Sequence, residues 1–254
     1  MTWTAFLLAG SRARTDPQGG SLILGHKALL PIAGEPMLLR PLRALLASDR
    51  VDNIVILTQV PEDLRPVVPD DPRISIRPSR DTIASTIAEL IADHEAHFPV
   101  LVTTADHALL DEAMIAEFTD TARGADLALG VVEQRPLLAR FPNAKRTWIG
   151  FRGGSYSGAN LFAFGSSKVL PAVERWRSVE RDRKKGWRVL AALGPALLMG
   201  AFLRLRTLQQ SLNSIGRKLG MSIRAVEMSN PLAAIDVDKR EDQQLVESII
   251  AGRA

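Results

Sequence analysis

Two kinds of hydrophobic pattern alternate along the first 130 residues of the chain. Continuous apolar runs rich in Val, Ile and Leu are typical of strands that a parallel sheet buries on both faces. Such runs predict strands at 2–9, 53–58, 99–103 and 125–132, with the sequences TWTAFLLA, NIVILT, PVLVT and ADLALGVV.

Segments with helical periodicity lie between these runs. Apolar residues three and four positions apart predict a helix over 81–94 and another over 111–122, with Asp111 as a plausible N-cap. A further helix is expected to begin near Pro36, because proline suits the first turn of a helix. The alternation of strand and helix is typical of a doubly wound α/β sheet, in which ligands bind beyond the carboxyl ends of the strands.

The second half of the chain has a different organisation. Apolar runs predict strands at 145–151 and 160–164 around a glycine-rich turn, and two more at 221–228 and 233–237 before a final helix from Arg240. A helical insertion, residues 166–220, lies between these two pairs of strands. We therefore expect one large domain over residues 1–254 that carries this insertion.

The composition changes this picture mainly by exclusion. The chain has 254 residues, of which 46% are hydrophobic and 24% charged, as in an ordinary globular protein. It contains no cysteine, which excludes disulfides, thiolate metal sites and a cysteine nucleophile and fits a reducing cytoplasm. A catalytic metal would need oxygen or imidazole ligands. No signal peptide is indicated, because the N-terminus has no basic region ahead of its short apolar run. No spanning helix is indicated, because no uninterrupted apolar run reaches 18 residues.

The positive charge of the chain is concentrated in one segment. The formal net charge is +4, but residues 175–224 alone hold twelve Lys or Arg against two acidic residues. Trp176 and Trp187 lie in this segment, and residues 189–203 carry no charge. Basic residues and tryptophans beside a short apolar stretch suit contact with a membrane surface through 175–206. A helical hairpin packed on the sheet with a solvated basic face is the alternative. Nucleic-acid binding is not expected, because no aromatic platform is interleaved with the basic residues.

Small and basic residues follow the first predicted strand. The sequence LAGSRAR spans residues 8–14, and KALLPIAGEPM spans 27–37. A strand that ends in a small-residue turn lets backbone approach phosphates or a base, and Arg and Lys beyond it can neutralise a triphosphate. Neither a P-loop nor a GxGxxG pattern is present. An ordinary basic loop between strand and helix remains the alternative.

Carboxylates occupy two further places where a sheet of this type binds ligands. Asp106 follows a buried strand in VTTADHALLD, and there a carboxylate can hold Mg²⁺ against phosphate oxygens. Asp236 and Asp238 would share one face of a strand, and their pairing is costly unless a cation lies nearby. Taken singly, Asp106 could be a helix cap or a solvated loop residue, and Asp238 could cap the final helix.

These three stretches together resemble the MobA-like NTP transferase family within the GT-A-like nucleotidyltransferase superfamily, which includes molybdenum-cofactor and sugar- or alcohol-phosphate nucleotidyltransferases. The first resembles the opening motif LAGGxGxRMxxxKxLLPLxGxPLL, the second the pattern GDxPLL and the third [ND]x[ND]xPEDL. The resemblance covers about residues 4–165 and 221–250 and implies a three-layer α/β/α, Rossmann-like GT-A fold with a mostly parallel central sheet. The basic helical insertion, 166–220, lies outside it.

The resemblance also implies roles for individual residues. Lys27 with Arg12 or Arg14 would be catalytic, and Asp106 and Asp238, with Asp236 close behind, would hold Mg²⁺. A weaker similarity of SYSGANLF to the turn NxGxYxF would place Gly158 and Asn160 beside the acceptor. The residues implied to contact the nucleotide are Leu8, Ala9, Gly10, Ser11, Ser79, Thr82 and Ser85.

The function that the resemblance implies is Mg²⁺-dependent transfer of NMP from an NTP to a phosphorylated acceptor, with release of pyrophosphate. CTP or GTP is the favoured NTP, and the acceptor would be a small phosphorylated molecule or a lipid head-group precursor. The expected location is the cytoplasm, with possible contact at the inner membrane face. Two alternatives stay open: a glycosyltransferase of the GT-A fold that uses a nucleotide sugar, and a non-catalytic nucleotide-binding module that docks on membranes.

Overall fold

The centre of the protein is a mixed sheet of eight strands, accompanied by a separate two-stranded hairpin. The computed structural model describes residues 2–10, 26–79, 83–92, 97–180 and 205–253. The strands, in chain order, are β1 Trp3–Leu8, β2 Pro31–Ile32, β3 Glu35–Pro36, β4 Val51–Thr58, β5 Ile74–Pro78, β6 Val100–Thr104, β7 Leu127–Glu133, β8 Ile149–Phe151, β9 Gly154–Phe164 and β10 Ile223–Glu227.

The order of strands in the sheet is β10-β7-β9-β6-β1-β4-β5, with β8 paired to β9. Strands β6, β1, β4 and β5 are parallel neighbours, and β10 is parallel to β7. Strand β9 runs antiparallel between β6 and β7. The carboxyl ends of all the parallel strands therefore meet at one edge of the sheet, which we call the catalytic edge.

Helices cover both faces of the sheet. Buried residues of β1 alternate between two hydrophobic clusters, with Leu7 facing one and Phe6 the other. The helices are α1 Leu39–Ala47, α2 Pro61–Leu64, α3 Ile83–Ala92, α4 Glu112–Ala122, α5 Gln134–Arg140, α6 Leu170–Glu180, α7 Leu208–Leu219 and α8 Arg240–Ile250. The first cluster packs against α1, α4 and α8, and the second against α3, α6 and α7. This confirms the predicted three-layer α/β fold.

Most of the predicted elements lie where the hydrophobic pattern places them. Asp111 caps α4 as predicted, with its carboxylate accepting a hydrogen bond from the Met114 amide. The final helix begins at Arg240, also as predicted. The sequence pattern does not predict the edge strand β5, because its short alternating sequence ISIRP gives a weak signal. Within the described ranges, no helix is long and apolar enough to cross a membrane.

Three of the predicted elements are wrong in detail. Pro36 does not begin a helix but ends a hairpin, whose two turn residues, Ala33 and Gly34, have φ of 51° and 86°. The segment 145–151 is a strand only from Ile149, and 233–237 contains the end of a 3-10 helix, Pro231–Ala234, followed by irregular chain. The segments 145–151 and 233–237 have no strand partner over most of their length. Their apolar residues therefore pack without the hydrogen bonds of a β-sheet.

Candidate active site

The first and second motifs lie side by side at the catalytic edge. The Leu8 carbonyl, at the end of β1, accepts a hydrogen bond from the Ala105 amide just beyond β6, with 3.0 Å between the two atoms. Asp106 is the next residue along the chain. Ala9 is buried and Gly10 half-buried, so the small-residue turn begins directly beside this carboxylate. The parallel pairing of β1 with β6 therefore places Leu8, Ala9 and Gly10, the first residues of the predicted nucleotide loop, next to a predicted metal ligand.

Lys27 joins the second motif to the third. Its ammonium donates to Asp106 Oδ2 at 2.6 Å and to Asp238 Oδ1 at 2.9 Å. Burial alone would lower the pKa of Lys27, but the attraction and hydrogen bonds of Asp106, and then of Asp238, outweigh it and raise that pKa. The lysine stays charged and lies between two carboxylates.

His26 fixes the backbone that carries Lys27. Its side chain is buried, and its Nδ1 accepts a hydrogen bond from the Ala28 amide. With this bond His26 caps a 3-10 helix over Lys27–Leu29. The Nε2 atom lies 2.7 Å from the Thr58 hydroxyl at the end of β4. Because Nδ1 is an acceptor, the proton of the neutral ring is on Nε2. Burial lowers the pKa of His26, and the charge of Asp63 only partly opposes this shift.

Asp236 has a different set of partners. The guanidinium of Arg146 donates to its Oδ1, and a second nitrogen of the same guanidinium donates to its backbone carbonyl at 3.1 Å. Asn160 Nδ2 donates to the other carboxylate oxygen, Oδ2, at 3.2 Å. Burial raises the pKa of Asp236, Arg146 lowers it, and the nearby charges of Asp238 and Asp106 raise it further.

Asn160 reaches Asp236 from an irregularity in β9. Gly158 of β9 is paired with Val131 of β7, and Phe162 of β9 is paired with Leu129 of β7. Between these two pairs β9 has more residues than β7. Asn160 lies in this bulge with φ of 50°, a left-handed conformation that asparagine tolerates better than most residues. Bulges next to functional sites often redirect a side chain. Here the bulge directs the amide to the third motif.

The third motif is irregular chain leading into α8. Asp242 in the first turn accepts hydrogen bonds from the amides of Asp238 and Lys239 at 3.1 and 2.9 Å. Lys239 is the N-cap, so Asp238 does not cap this helix. The Val237 amide donates to the Asp106 carbonyl at 3.0 Å, which ties the motif to the end of β6. Asp238 is therefore directed toward Lys27.

The three carboxylates form a group that could hold a metal ion. One ligand oxygen from each of Asp106, Asp236 and Asp238 lies within 4.8 Å of the others. Asp106 Oδ1 is buried and has no hydrogen-bond partner among the described residues. An ionised oxygen buried without a donor is costly, and oxygen-only ligands suit a hard cation such as Mg²⁺. The donor set therefore fits Mg²⁺.

Other unpartnered polar atoms lie close to this group in the chain. His107 is fully buried behind Asp106, and its Nε2 has no partner in the described part of the protein. Burial lowers the pKa of His107 to about 4; Asp106 opposes the shift and Arg146 adds to it. The imidazole is thus neutral at ordinary pH. The Thr104 hydroxyl and Arg146 Nε are likewise buried without a described partner.

Some of the other predicted site residues lie within the described ranges and some lie outside them. Ser79 follows β5, its amide donating to the Thr58 carbonyl, and Ser85 is buried in α3. Gly158 is exposed, and a Cβ added there would meet nothing within 4 Å. The predicted residues that lie outside the described ranges are Ser11, Arg12, Arg14 and Thr82, together with residues 181–204 of the basic insertion.

Sequence reasoning missed Arg146 and His26. Arg146 belongs to no motif and lies in a segment predicted as strand, so nothing local indicated its contact with a residue 90 positions away. His26 precedes Lys27 directly, but the sequence contains no metal- or triad-type spacing that would single it out. Its burial follows from the fold.

Comparison with known proteins identifies the family of the chain. The sequence pattern of the MobA-like NTP transferase domain matches residues 5–196, which is more than half of the chain. A comparison with curated proteins gives no match. A hypothetical transferase from Thermus thermophilus has 28% sequence identity and a TM-score of 0.78, with 96% of this chain and 100% of that chain covered.

Two more distant structures share the fold. The 4-diphosphocytidyl-2C-methyl-D-erythritol synthase of Anaerococcus prevotii is 11% identical with a TM-score of 0.61, and covers 98% of this chain and 96% of its own. A CMP:2-keto-3-deoxy-manno-octonic acid synthetase complexed with CTP is 12% identical with a TM-score of 0.61 over the whole of both chains. With its domain pattern matched and its motifs meeting at one sheet edge, the chain belongs to the MobA-like NTP transferase family and is a nucleotidyltransferase.

Proposed function

We propose that this nucleotidyltransferase is Mg²⁺-dependent and transfers NMP from an NTP to a phosphorylated acceptor, releasing pyrophosphate. The observation that carries the proposal is the position of Lys27, whose ammonium lies between Asp106 and Asp238 at 2.6 and 2.9 Å. A cationic side chain and two carboxylates at one point suit a polyphosphate that arrives with a divalent cation.

Asp106 and Asp238 are the residues that would hold Mg²⁺. The buried Oδ1 of Asp106, which has no partner among the described residues, supports this role, and the side chain of Asp238 is 55% exposed. When bound, Mg²⁺ would neutralise charge on the phosphate oxygens. One carboxylate oxygen of Asp236 lies within 4.8 Å of those of Asp106 and Asp238.

The chain's own residues account for the remaining requirements. Lys27 would stabilise the negative charge that develops on the phosphates during transfer, together with Arg12 or Arg14. The backbone of Leu8, Ala9 and Gly10 would lie against the nucleotide. The remaining nucleotide contacts would come from Ser11, Ser79, Thr82 and Ser85.

The acceptor would approach from the side of β9, past Gly158 and Asn160. An oxygen of its phosphate would attack the α-phosphorus in line, forming one P–O bond as the bond to pyrophosphate breaks. The acceptor phosphate is already ionised, so no general base is needed. The unobstructed space at Gly158 supports this approach.

We favour CTP or GTP as the nucleotide. Support for CTP comes from distant structures of the same fold, one of which was solved with CTP and another named for a cytidyl product. GTP remains the second candidate because the family pattern includes molybdenum-cofactor transferases. The acceptor is proposed to be a phosphorylated sugar, polyol or alcohol, or a lipid head-group precursor.

The experiment that tests this function measures pyrophosphate release with Mg²⁺ and each of CTP, GTP, UTP and ATP. The acceptor panel contains phosphorylated sugars, polyols and alcohols as well as molybdopterin. Wild type is compared with Lys27→Ala, and Lys218→Ala on the exposed surface of α7 serves as the matched control. Release with one NTP and one acceptor, strongly reduced in Lys27→Ala and unchanged in Lys218→Ala, is the expected result. Release that Lys27→Ala leaves unchanged contradicts the proposal.

The basic segment suggests where the acceptor is met. Residues 175–224 carry twelve basic and two acidic residues, and Leu205 is 63% exposed. We propose that 175–206 contacts an anionic membrane surface, at the cytoplasmic face, when the acceptor is a lipid head-group precursor. Co-sedimentation with vesicles containing phosphatidylserine should exceed that with neutral vesicles and fall with added salt. Binding that is insensitive to lipid charge and salt would remove this part of the proposal.

A further inference from the structure

Arg146 is a nearly buried arginine that contacts one of the three carboxylates of the site. It lies between α5 and β8, in chain that forms neither helix nor strand, and its side chain is only 11% exposed. The guanidinium holds both the side chain and the backbone carbonyl of Asp236. An arginine that is nearly buried in this way is fixed in position, and so is the carboxylate it holds.

The three carboxylates of the site are consequently not equivalent. Both oxygens of Asp236 accept hydrogen bonds from protein groups, one from Arg146 and one from Asn160. Asp106 has a buried oxygen without a described partner, and Asp106 and Asp238 share the ammonium of one lysine. A cation that entered the group would replace this ammonium at Asp106 and Asp238. At Asp236 it would compete with a nearly buried guanidinium on Oδ1 and with the Asn160 amide on Oδ2.

The number of carboxylates on the cation matters for a reaction of phosphates. Mg²⁺ in proteins is usually bound by one or two carboxylates plus substrate phosphates, and it keeps near-octahedral coordination. A third carboxylate would occupy a position that a phosphate oxygen needs and would reduce the charge available to attract it.

We infer that Arg146 is a positioning residue that holds Asp236 away from the cation, so that Asp106 and Asp238 alone bind it and coordination positions stay open for phosphate oxygens. The inference rests on the proposed function. Asn160, directed by the bulge in β9, completes the set of donors that keeps Asp236 in place.

The test uses Mn²⁺ as the probe and measures its affinity for the metal-free full-length protein, without nucleotide, by the EPR signal of free Mn²⁺. Asp106→Asn should weaken binding by about tenfold or more, because a ligand is lost. Arg146→Gln should tighten binding by severalfold, because Asp236 is released as a third ligand. The double variant Arg146→Gln with Asp236→Asn removes a neutral pair and should bind Mn²⁺ within about twofold of wild type.

Two results would overturn the inference. Loss of Mn²⁺ affinity in the double variant, as large as in Asp106→Asn, would make Asp236 a ligand. Unchanged or weaker binding in folded Arg146→Gln would leave Arg146 with a structural role only. If Arg146→Gln fails to fold, Arg146→Lys replaces it, because lysine keeps the charge with fewer hydrogen bonds. Arg146→Lys should then bind Mn²⁺ more tightly than wild type does. Equal or weaker binding would contradict the inference.

The proposed function has a separate readout. A wild-type protein that binds no Mn²⁺ would overturn this inference and the proposed Mg²⁺ dependence together, whereas nucleotidyl transfer itself is judged by pyrophosphate release. In the same assay Arg146→Gln should raise the KM for NTP more than it lowers kcat, because phosphate oxygens would compete with a third carboxylate.

Discussion

The two sides of the active site neutralise their carboxylates in different ways. On the Lys27 side, Asp106 and Asp238 share one ammonium, and an oxygen of Asp106 is left without a described donor. On the Arg146 side, both oxygens of Asp236 are occupied by an almost buried arginine and by Asn160. Under the proposed function, the Lys27 side would exchange its ammonium for a metal ion, while the Arg146 side would stay in place. Similar carboxylates within 4.8 Å of one another would then serve binding and positioning separately.

The largest effect should come from removing the central carboxylate of the Lys27 side. Asp106→Asn is expected to lower turnover by about a hundredfold or more, since the charge that places the cation is lost. The fold should survive, because Lys27 keeps Asp238 as a partner. Steady-state pyrophosphate release and thermal unfolding check the two parts. Asp49→Asn, at a side chain that is 85% exposed, is the control and should match wild type. Full activity in Asp106→Asn would contradict the assignment.

Removal of the lysine should have the next largest effect. Lys27→Ala is expected to lower turnover by about tenfold to a hundredfold, because charge on the phosphates is less well stabilised. It also removes the ammonium that Asp106 and Asp238 share, so added Mg²⁺ should raise the melting temperature of the variant more than that of wild type. Differential scanning fluorimetry with and without Mg²⁺ measures this. An equal shift in both proteins would mean that the lysine and the metal do not share a place.

The Arg146 side should respond through stability. Asn160→Ala and Asn160→Gly both remove the hydrogen bond to Asp236, but only alanine retains a Cβ at φ of 50°. We expect the alanine variant to be less stable than the glycine variant by about 1 kcal/mol. Urea unfolding of the two proteins gives the difference directly. Equal stabilities would show that the bulge relaxes and that Asn160 is not held in its left-handed conformation.

The smallest effect should appear as a pH dependence on the Lys27 side. The pKa of His26 is lowered in the folded protein, so the unfolded chain binds the proton first. This contribution to the free energy of unfolding is therefore complete above about pH 6.5 and is lost as the pH falls toward the lowered pKa. His107, whose pKa is lowered to about 4, acts in the same direction, and its contribution is lost from about pH 6.5 down to about pH 4. The free energy of unfolding, measured in urea at pH 7.5 and 5.5, should fall less between these two values in His26→Gln than in wild type. An equal fall in both proteins would contradict this.

The Lys27 side could be predicted from sequence because its residues belong to motifs next to strongly patterned strands. Asp106 follows β6, whose apolar run is unambiguous, and Lys27 lies in a stretch similar to a family motif. Parallel strands bring such loops to one edge whatever their separation along the chain. The general fold followed from the same regularity.

The Arg146 side could not be predicted in this way. Arg146 and Asp236 lie in irregular chain, where side-chain direction depends on tertiary contacts and not on a period of two. The left-handed conformation of Asn160 depends on the shift in register between β9 and β7. No local sequence pattern indicates this shift. For the same reason the predicted strand at 233–237 was wrong, although Asp236 and Asp238 still meet at the site.

The reversed direction of β9 has a consequence for engineering the protein. Its last residue, Phe164, pairs with the first residues of β6 and β7, so the chain leaves the sheet at the edge remote from the carboxylates. It is again at the catalytic edge by Arg206, whose carbonyl accepts the amide of Arg152. All the strand pairs of the described residues lie outside 181–204. A chimera that exchanges 181–204 for a segment of another length would keep these strands in register while changing the chain that leads to Arg206.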